Sequence, residues 1–313
     1  MALSLATFNV ENLLDPRTEP ERARLADKIA WIARMIDACD ADVIGLQEVG
    51  TLPLVRAVLD RTAAPRGWGE PVLGTADARG IRCALVARAH VPIASTRVHT
   101  AESLAFPVFR AGDPAPFGTR IPLRRGVVHA RVRAADLGDV DVLVVHFKSV
   151  RAVPPRDAAG NELPSRSQRE RAEGQLRAIV WRAAEALFVR GLVDDLLGAD
   201  EARRADTQAQ VAVVGDMNDV ADSVVLRTLR GEPPDLLDCT AGVDAAQRFS
   251  CLHEGQAVQI DHVLASARLH GRLAREGGAR FLNTELRAQR DGRDPRSGDG
   301  VVSDHAPLVV RFV

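Results

Sequence analysis

The chain has 313 residues, 41 Lys and Arg against 42 Asp and Glu, and a formal net charge of -1 at neutral pH. That balance excludes a protein that holds nucleic acid mainly through a global basic field, while leaving room for a local basic groove. Apolar residues make up 46% and charged residues 27%, so the composition is that of an ordinary globular chain able to bury a large core without staples. The four cysteines, Cys39, Cys83, Cys239 and Cys251, show no C-x-x-C spacing, which argues against zinc and gives no disulfide framework. No leader-like segment opens the sequence, and no run approaches the roughly 18 apolar residues of a membrane span. The expectation is a cytoplasmic protein with no membrane association and no evident obligate protein partner.

Leu3–Phe8 reads as a strand ending at Asn9. Glu19–Cys39 is predicted helical, because Leu25, Ile29, Ile32 and Ile36 fall on one stripe. Val43–Leu46 is a buried strand leading to Gln47 and Glu48, and Leu52–Asp60 is a shorter helix. Strands follow at Pro71–Leu73, Ile81–Ala87, Pro92–Val98, Val127–Val132 and Val140–Val145, punctuated by turn residues such as Gly80 and Gly126. Strands in succession without intervening helices point to antiparallel pairing and away from βαβ units. Ser165–Val189 is predicted as a long helix with Leu176, Ile179, Val180, Ala183 and Leu187 facing inward. Val211–Val214, a helix at Ser223–Arg230, Val258–Ala265 and Leu308–Phe312 complete the series. Long loops are expected at Ala101–Arg125, Arg151–Pro164 and Gly277–Val302. Helices and strands occur in both halves, so residues 1–313 are read as one layered α/β domain.

Six apolar runs each meet side chains that ligate metals or move protons. Leu5–Phe8 ends at Asn9, Val43–Leu46 leads to Glu48, and Leu143–Val145 ends at His146, with Lys148 beyond it. Val211–Val214 ends at Gly215-Asp216-Met217-Asn218-Asp219, Asp261-His262 opens a further strand, and Ser303-Asp304-His305 precedes the last. Any one of these could be a turn former or helix cap. Six in one chain point instead to a site gathered along a sheet edge. Carboxylates, amides and imidazoles suit Mg²⁺ or Mn²⁺. Phosphoester hydrolysis needs that inventory: cations for the phosphate, a group to activate water, and a donor for the leaving oxygen. By strand alternation His262 faces away from Asp261 and reads as structural, whereas Lys148 shares a face with His146.

In order along the chain, Thr7-Phe8-Asn9-Val10-Glu11-Asn12-Leu13, Ile44-Gly45-Leu46-Gln47-Glu48-Val49, Gly215-Asp216-Met217-Asn218-Asp219 and Ser303-Asp304-His305-Ala306-Pro307 resemble the motifs of the endonuclease/exonuclease/phosphatase superfamily. The resemblance implies a four-layered αββα sandwich of two mainly antiparallel sheets. It implies metal ligation by Asn9, Glu48 and Asp304. It also implies a catalytic set of His146, Asp216, Asn218, Asp261 and His305. Asp216 and Asn218 would place water and phosphate, Asp261 would orient His305 as base or phosphate contact, and His146 would stabilise the pentacovalent phosphate or help protonate the leaving group. The chain departs from the abasic-site enzymes in having no tyrosine, and from the secreted deoxyribonucleases in lacking support for a disulfide.

Candidate phosphate contacts are Lys148, Arg125 and Arg171, with Arg124, Arg166 and Arg169 as further basic residues near the same segments. The reading is a Mg²⁺- or Mn²⁺-dependent hydrolase of phosphodiesters, with DNA or RNA as the first substrate. The alternatives are a phosphatase or phosphodiesterase for a small metabolite, inositol phosphate or lipid headgroup, and a non-catalytic binding module.

Overall fold

In the computed structural model, which describes residues 2–101, 121–157, 159, 161–198, 207–253, 255–286 and 300–313, two six-stranded sheets form the centre of the molecule. The first has the order β13 (Ala279–Phe281), β14 (Leu308–Phe312), β1 (Leu3–Leu13), β2 (Val43–Val49), β4 (Arg82–Ala87), β3 (Val72–Leu73). The second runs β5 (Ile93–His99), β6 (Val127–Ala134), β7 (Gly138–His146), β8 (Val211–Asp216), β12 (Asp261–Ser266), β9 (Leu236–Asp238). A separate ribbon pairs β10 (Cys251–His253) with β11 (Gln256–Val258). The helices are α1 (Glu19–Cys39), α2 (Leu52–Leu59), α3 (Gln168–Leu197), α4 (Val224–Arg230) and α5 (Ala267–His270).

Three apolar layers separate four layers of structure. Between the sheets lie Leu5, Val43, Leu85, Val142, Val144, Val214, Val263 and Val310. Outside the first sheet, Ile32 and Ile36 of α1 pack on Phe8, Ile44 and Leu46. Outside the second, Val189 and Val193 of α3 and Leu226 of α4 pack on Leu143, Val213 and Leu264. The order is therefore αββα, as the motifs imply. The start of α1 is fixed by its sequence: Thr18 caps the Glu21 amide and the Glu21 carboxylate returns to the Thr18 amide.

Three expectations need correction. Most neighbouring strands are antiparallel, but β1 runs parallel to β2 and β7 parallel to β8. Parallel neighbours require a crossover, and α1 and α3 supply it, so each sheet has a βαβ unit at its heart. The inward face of α3 also differs from the predicted stripe. Leu176 and Ile179 are exposed, and the buried positions include Ala178, Arg182, Glu185 and Val189. Helical spacing is kept, but two charged residues occupy the stripe because they serve polar groups of the loops beneath. The predicted strand Val258–Ala265 is broken by Gln259-Ile260 into β11 and β12. The loop expected at Ala101–Arg125 falls largely outside the described residues, as does much of Gly277–Val302.

Candidate active site

Strand alternation assembles the site. In β1, Leu3 and Leu5 face the inter-sheet core, and Asn9 lies in phase with them. In β7 the same face carries Val142 and Val144, then His146; in β8 it carries Ala212 and Val214, then Asp216. β12 runs the other way, so Val263 and Ala265 are preceded in phase by Asp261. Four strands thus place a polar side chain just beyond the last apolar position at one end of the core. The carboxyl ends of both parallel pairs lie there, where open α/β sheets characteristically hold ligands.

The backbone closes around that end. A Cβ on Gly215 would stand 2.0 Å from the Val145 carbonyl oxygen, and its φ of 150° is one that a side chain rarely allows. Of the five non-glycine residues with positive φ among those described, four, Glu11 (49°), Asn12 (57°), Glu48 (63°) and Asn218 (51°), line the cleft. Each such conformation costs on the order of 1 kcal/mol, and it turns the chain so that the side chain reaches the cleft.

Asp216 is the hub. Its Oδ2 accepts from Asn9 Nδ2 (3.0 Å) and its Oδ1 from the Asn218 amide (2.9 Å). Two imidazoles approach the same Oδ2, His146 Nε2 at 3.4 Å and His305 Nε2 at 3.8 Å. Their environments differ. Arg125 donates to His146 Nδ1 (2.6 Å), so a neutral ring carries its proton on Nε2. Burial, then the Arg125 charge, holds His146 well below the usual histidine range. Burial also acts against the charge on His305, but the carboxylates of Asp261 and Asp216 outweigh it and hold that ring well above the usual range. Its Nδ1 meets Asp261 Oδ2 at 2.7 Å. Burial raises Asp216 to about 7, against the pull of His305.

The remaining motif residues are tied in by short links. Ser303 Oγ donates to the Asn9 carbonyl (2.8 Å) and accepts from the His305 amide (3.0 Å), which joins the last motif to β1. Asn218 Nδ2 donates to the Phe147 carbonyl (3.1 Å), joining the loops after β7 and β8. Glu48 Oε2 accepts from the Asn12 amide (3.0 Å), and its Oε1 lies 3.9 Å from His146 Nε2. Glu48, Asp304 and Glu11 line a cleft of about 990 Å³ together with His146, Asp216, Asn218 and His305.

This geometry bears on where a divalent ion could sit. Asp216, Asp261 and His305 bring three ligating atoms within 4.8 Å of one another, close enough to share an ion. Asp261 is fully buried and hydrogen-bonded to the His305 imidazole, whose other nitrogen stands 3.8 Å from Asp216. Glu48, Asp304 and Glu11 are among the carboxylates that line the cleft, and hard oxygen donors of that kind suit Mg²⁺ or Mn²⁺. Asn9 sits differently from a free ligand: its Oδ1 accepts from the Glu11 amide (3.0 Å) and its Nδ2 holds Asp216.

The predicted phosphate contacts separate. Arg125 is buried in the cleft wall. Lys148 also lines the cleft, but its ammonium donates to the Ser149 carbonyl, the Ser149 hydroxyl and the Arg151 carbonyl. Arg171 is exposed on the first turn of α3, bonded to Gln168, and does not line the cleft. Arg166 and Arg169 do not line it either. Arg79 and Arg151, which sequence reasoning passed over, do. They stand in loops with no periodicity, so no local signal marks them. His262 is buried and structural as expected, with Nε2 on the Asp219 carbonyl (2.9 Å) and Nδ1 facing Gln259 (3.1 Å).

Comparison with known proteins agrees with this architecture. A truncated TDP2 from Caenorhabditis elegans superposes with a TM-score of 0.59 at 15% identity, covering 100% of this chain and 97% of that one. A D. rerio TDP2 complexed with a single-strand DNA product gives 0.57 at 14%, covering 100% and 99%. A mannosyl-6-phosphatase from Bacteroides thetaiotaomicron gives 0.56 at 16%, covering 99% of each. At such identities the likeness is one of fold. No curated protein sequence matches the chain. The sequence profile of the Endonuclease/Exonuclease/phosphatase family, however, matches residues 6–305, from the strand that carries Asn9 to the imidazole that faces Asp216, and it is to this family that the chain belongs.

Proposed function

We propose that the chain hydrolyses phosphodiesters with the help of Mg²⁺ or Mn²⁺, that its first substrate class is nucleic acid, and that its 313 residues work as one catalytic domain. The observation that carries this reading is the hub: a carboxylate fixed by two amide donors, with two imidazoles on its open side, in a cleft that also holds Glu48 and Asp304. Members of the family are phosphoester hydrolases that use divalent metals. The D. rerio neighbour with its single-strand DNA product offers a precedent for nucleic acid on this fold.

Glu48 and Asp304, with Glu11 beside them, would hold the ion, whose chemistry is to neutralise charge on the phosphate. The protein's own groups divide the remaining work. Asp216, once ionised, accepts the proton of the attacking water. The two amide donors keep its oxygens aimed, and its elevated proton affinity suits a base at neutral pH. His146 presents Nε2–H to a phosphoryl oxygen, because Arg125 occupies its other nitrogen. His305, a cation against Asp261, stabilises the charge that builds on the phosphate as the P–O bond to the leaving group breaks. Asp261 acts as a positioning residue.

The test is a panel assay with plasmid DNA, single-stranded DNA, RNA, bis-p-nitrophenyl phosphate and p-nitrophenyl phosphate, each with Mg²⁺, Mn²⁺ or EDTA. Hydrolysis of the diesters that EDTA abolishes and either metal restores is expected. Full activity after exhaustive chelation would sink the metal, and turnover of p-nitrophenyl phosphate alone would replace the diester by a phosphomonoester.

A further inference from the structure

One wall of the cleft is cationic and short of counter-ions. Arg79, Arg124, Arg125, Lys148 and Arg151 all line it. Arg79 has Asp77 at 3.5 Å, but among the described residues no carboxylate lies within ion-pair distance of the other four. Some guanidinium groups elsewhere do pair with a carboxylate, as in Arg131–Asp141, Arg133–Asp139, Arg182–Asp219 and Arg190–Asp194. Arg124 is half-buried and unpaired, which is costly, and the like charge of Arg125 adds to the cost; Arg151 is exposed and carries no such burial cost. A group such as Arg124 persists where an external anion completes it.

Three features show that this wall is built. Arg125 is 5% exposed, with one nitrogen committed to His146 and a buried Nε that has no partner. The Arg124 guanidinium carbon lies 4.1 Å from the centre of the Trp181 ring, and the Trp181 indole donates to the Pro122 carbonyl (3.1 Å). Stacking fixes the guanidinium without using its N–H edge, which stays available for a planar two-point contact to an oxyanion. The third feature is the Lys148 ammonium, which gathers the Ser149 and Arg151 carbonyls at 2.8 Å each and so folds the loop that brings Arg151 to the cleft. Lys148 is thereby a builder of the wall and leaves the contact to Arg151.

A phosphodiester carries one negative charge, and the His305 imidazolium beside Asp216, with the ion that Glu48 and Asp304 would hold, is enough to meet it. Arg124 and Arg151 are cations beyond that need. We propose that Arg124 and Arg151 form a second anion subsite, which takes a phosphate group neighbouring the one hydrolysed. The proposal rests on the phosphoester-hydrolase reading and narrows its substrates to molecules with at least two phosphates. The second could be an internal diester of a polynucleotide or a terminal monoester.

Short thymidylates separate these sources. In the presence of Mn²⁺, kcat/KM is compared for d(TpT), for d(TpTpT), which adds an internal diester, and for d(pTpT), which adds a terminal monoester. At least one of the longer compounds should exceed d(TpT) by about tenfold, the scale of one charge-assisted contact, and the better one identifies the source. Arg124→Ala and Arg151→Ala should each bring that ratio toward one. A wild-type protein that cleaves all three alike, or a ratio that survives both substitutions, would overturn the subsite. A binding measurement is independent of turnover: by calorimetry without metal, the wild type should hold inorganic pyrophosphate about tenfold more tightly than orthophosphate, and both variants should lose the preference. Equal affinity for the two anions in the wild type would count against the subsite. Preference for pyrophosphate in a protein that hydrolyses nothing would instead remove the hydrolase reading and keep the subsite.

Discussion

Asp216 stands between a ring that burial and Arg125 keep neutral and a ring that Asp261 and Asp216 itself keep charged. Replacing His305 by alanine removes the cation outright and leaves Asp261 buried without a partner. A loss in kcat of about a thousandfold is expected, comparable to deleting one donor of an oxyanion site, with the circular dichroism spectrum unchanged. Asp261→Asn keeps an oxygen for His305 Nδ1 and loses only charge and orientation. Its kcat should fall by roughly ten- to a hundredfold. Equal losses in the two variants would mean that Asp261 does more than position. At this scale the sequence was legible wherever a motif fixed a residue type at a strand end, as for His146, Asp216 and Asp261. It was illegible where a side chain is committed to a nearby backbone group, a choice that residue type and spacing do not reveal. Nothing near Lys148 reveals that its three hydrogens close a loop, and nothing near Asn9 reveals that its carbonyl turns to Glu11.

The element that decides how the loops sit is α3. Arg182 donates to the Lys148 carbonyl and to Asp219, and Glu185, one turn on, accepts from the Lys148 amide. One helix face thus holds both loops that carry the hub. Glu185 is 1% exposed, and burial is the main reason it is raised to about 7, with Arg125 opposing. A carboxyl raised in the folded state binds a proton there that the unfolded chain has already released. Stability from this group is therefore greatest below its ordinary value near 4.5 and declines as pH rises to about 7. Over that window the decline is at most roughly 3 kcal/mol, from 1.36 kcal/mol per unit. Glu185→Gln cannot ionise, so it should gain on the wild type as pH goes from 5 to 8, read from urea midpoints at each pH. A constant difference between the two proteins would show that Glu185 does not titrate there. The charge on this stripe is also why the helix was readable as a helix and misread in face; it also runs on to Leu197, past the expected end at Val189. Periodicity searches for apolar residues and so picks the stripe through Leu176 and Ile179, whereas the buried stripe runs through Ala178, Arg182, Glu185 and Val189. The three-residue strands β9, β10 and β13 were missed because so short a segment has no period to detect.

Over the whole molecule, the two halves of the chain are interleaved. β1 pairs with β14 and Leu3 stands opposite Phe312, while the inter-sheet core draws on Leu5, Leu85, Val144, Val263 and Val310. A protease nick within residues 151–164 should therefore leave a particle that elutes as intact protein and comes apart only in denaturant; two stable halves on gel filtration would refute the one-domain reading. The alternation of layers could be foreseen from the motifs, whereas the parallel pair inside each sheet could not, since the crossover helices α1 and α3 resemble any other helices in sequence. The β1–β14 pairing has a consequence for biosynthesis. As the polypeptide emerges from the ribosome, one edge of β1 stays open until residues 308–312 have followed, some three hundred positions later. Through most of translation the nascent chain carries that bare edge, with Asn9 and Glu48 already made and Asp304 and His305 still to come. The same late segment that gives the site its second imidazole also covers the edge, so completion of the site and protection from strand-to-strand association come in one step.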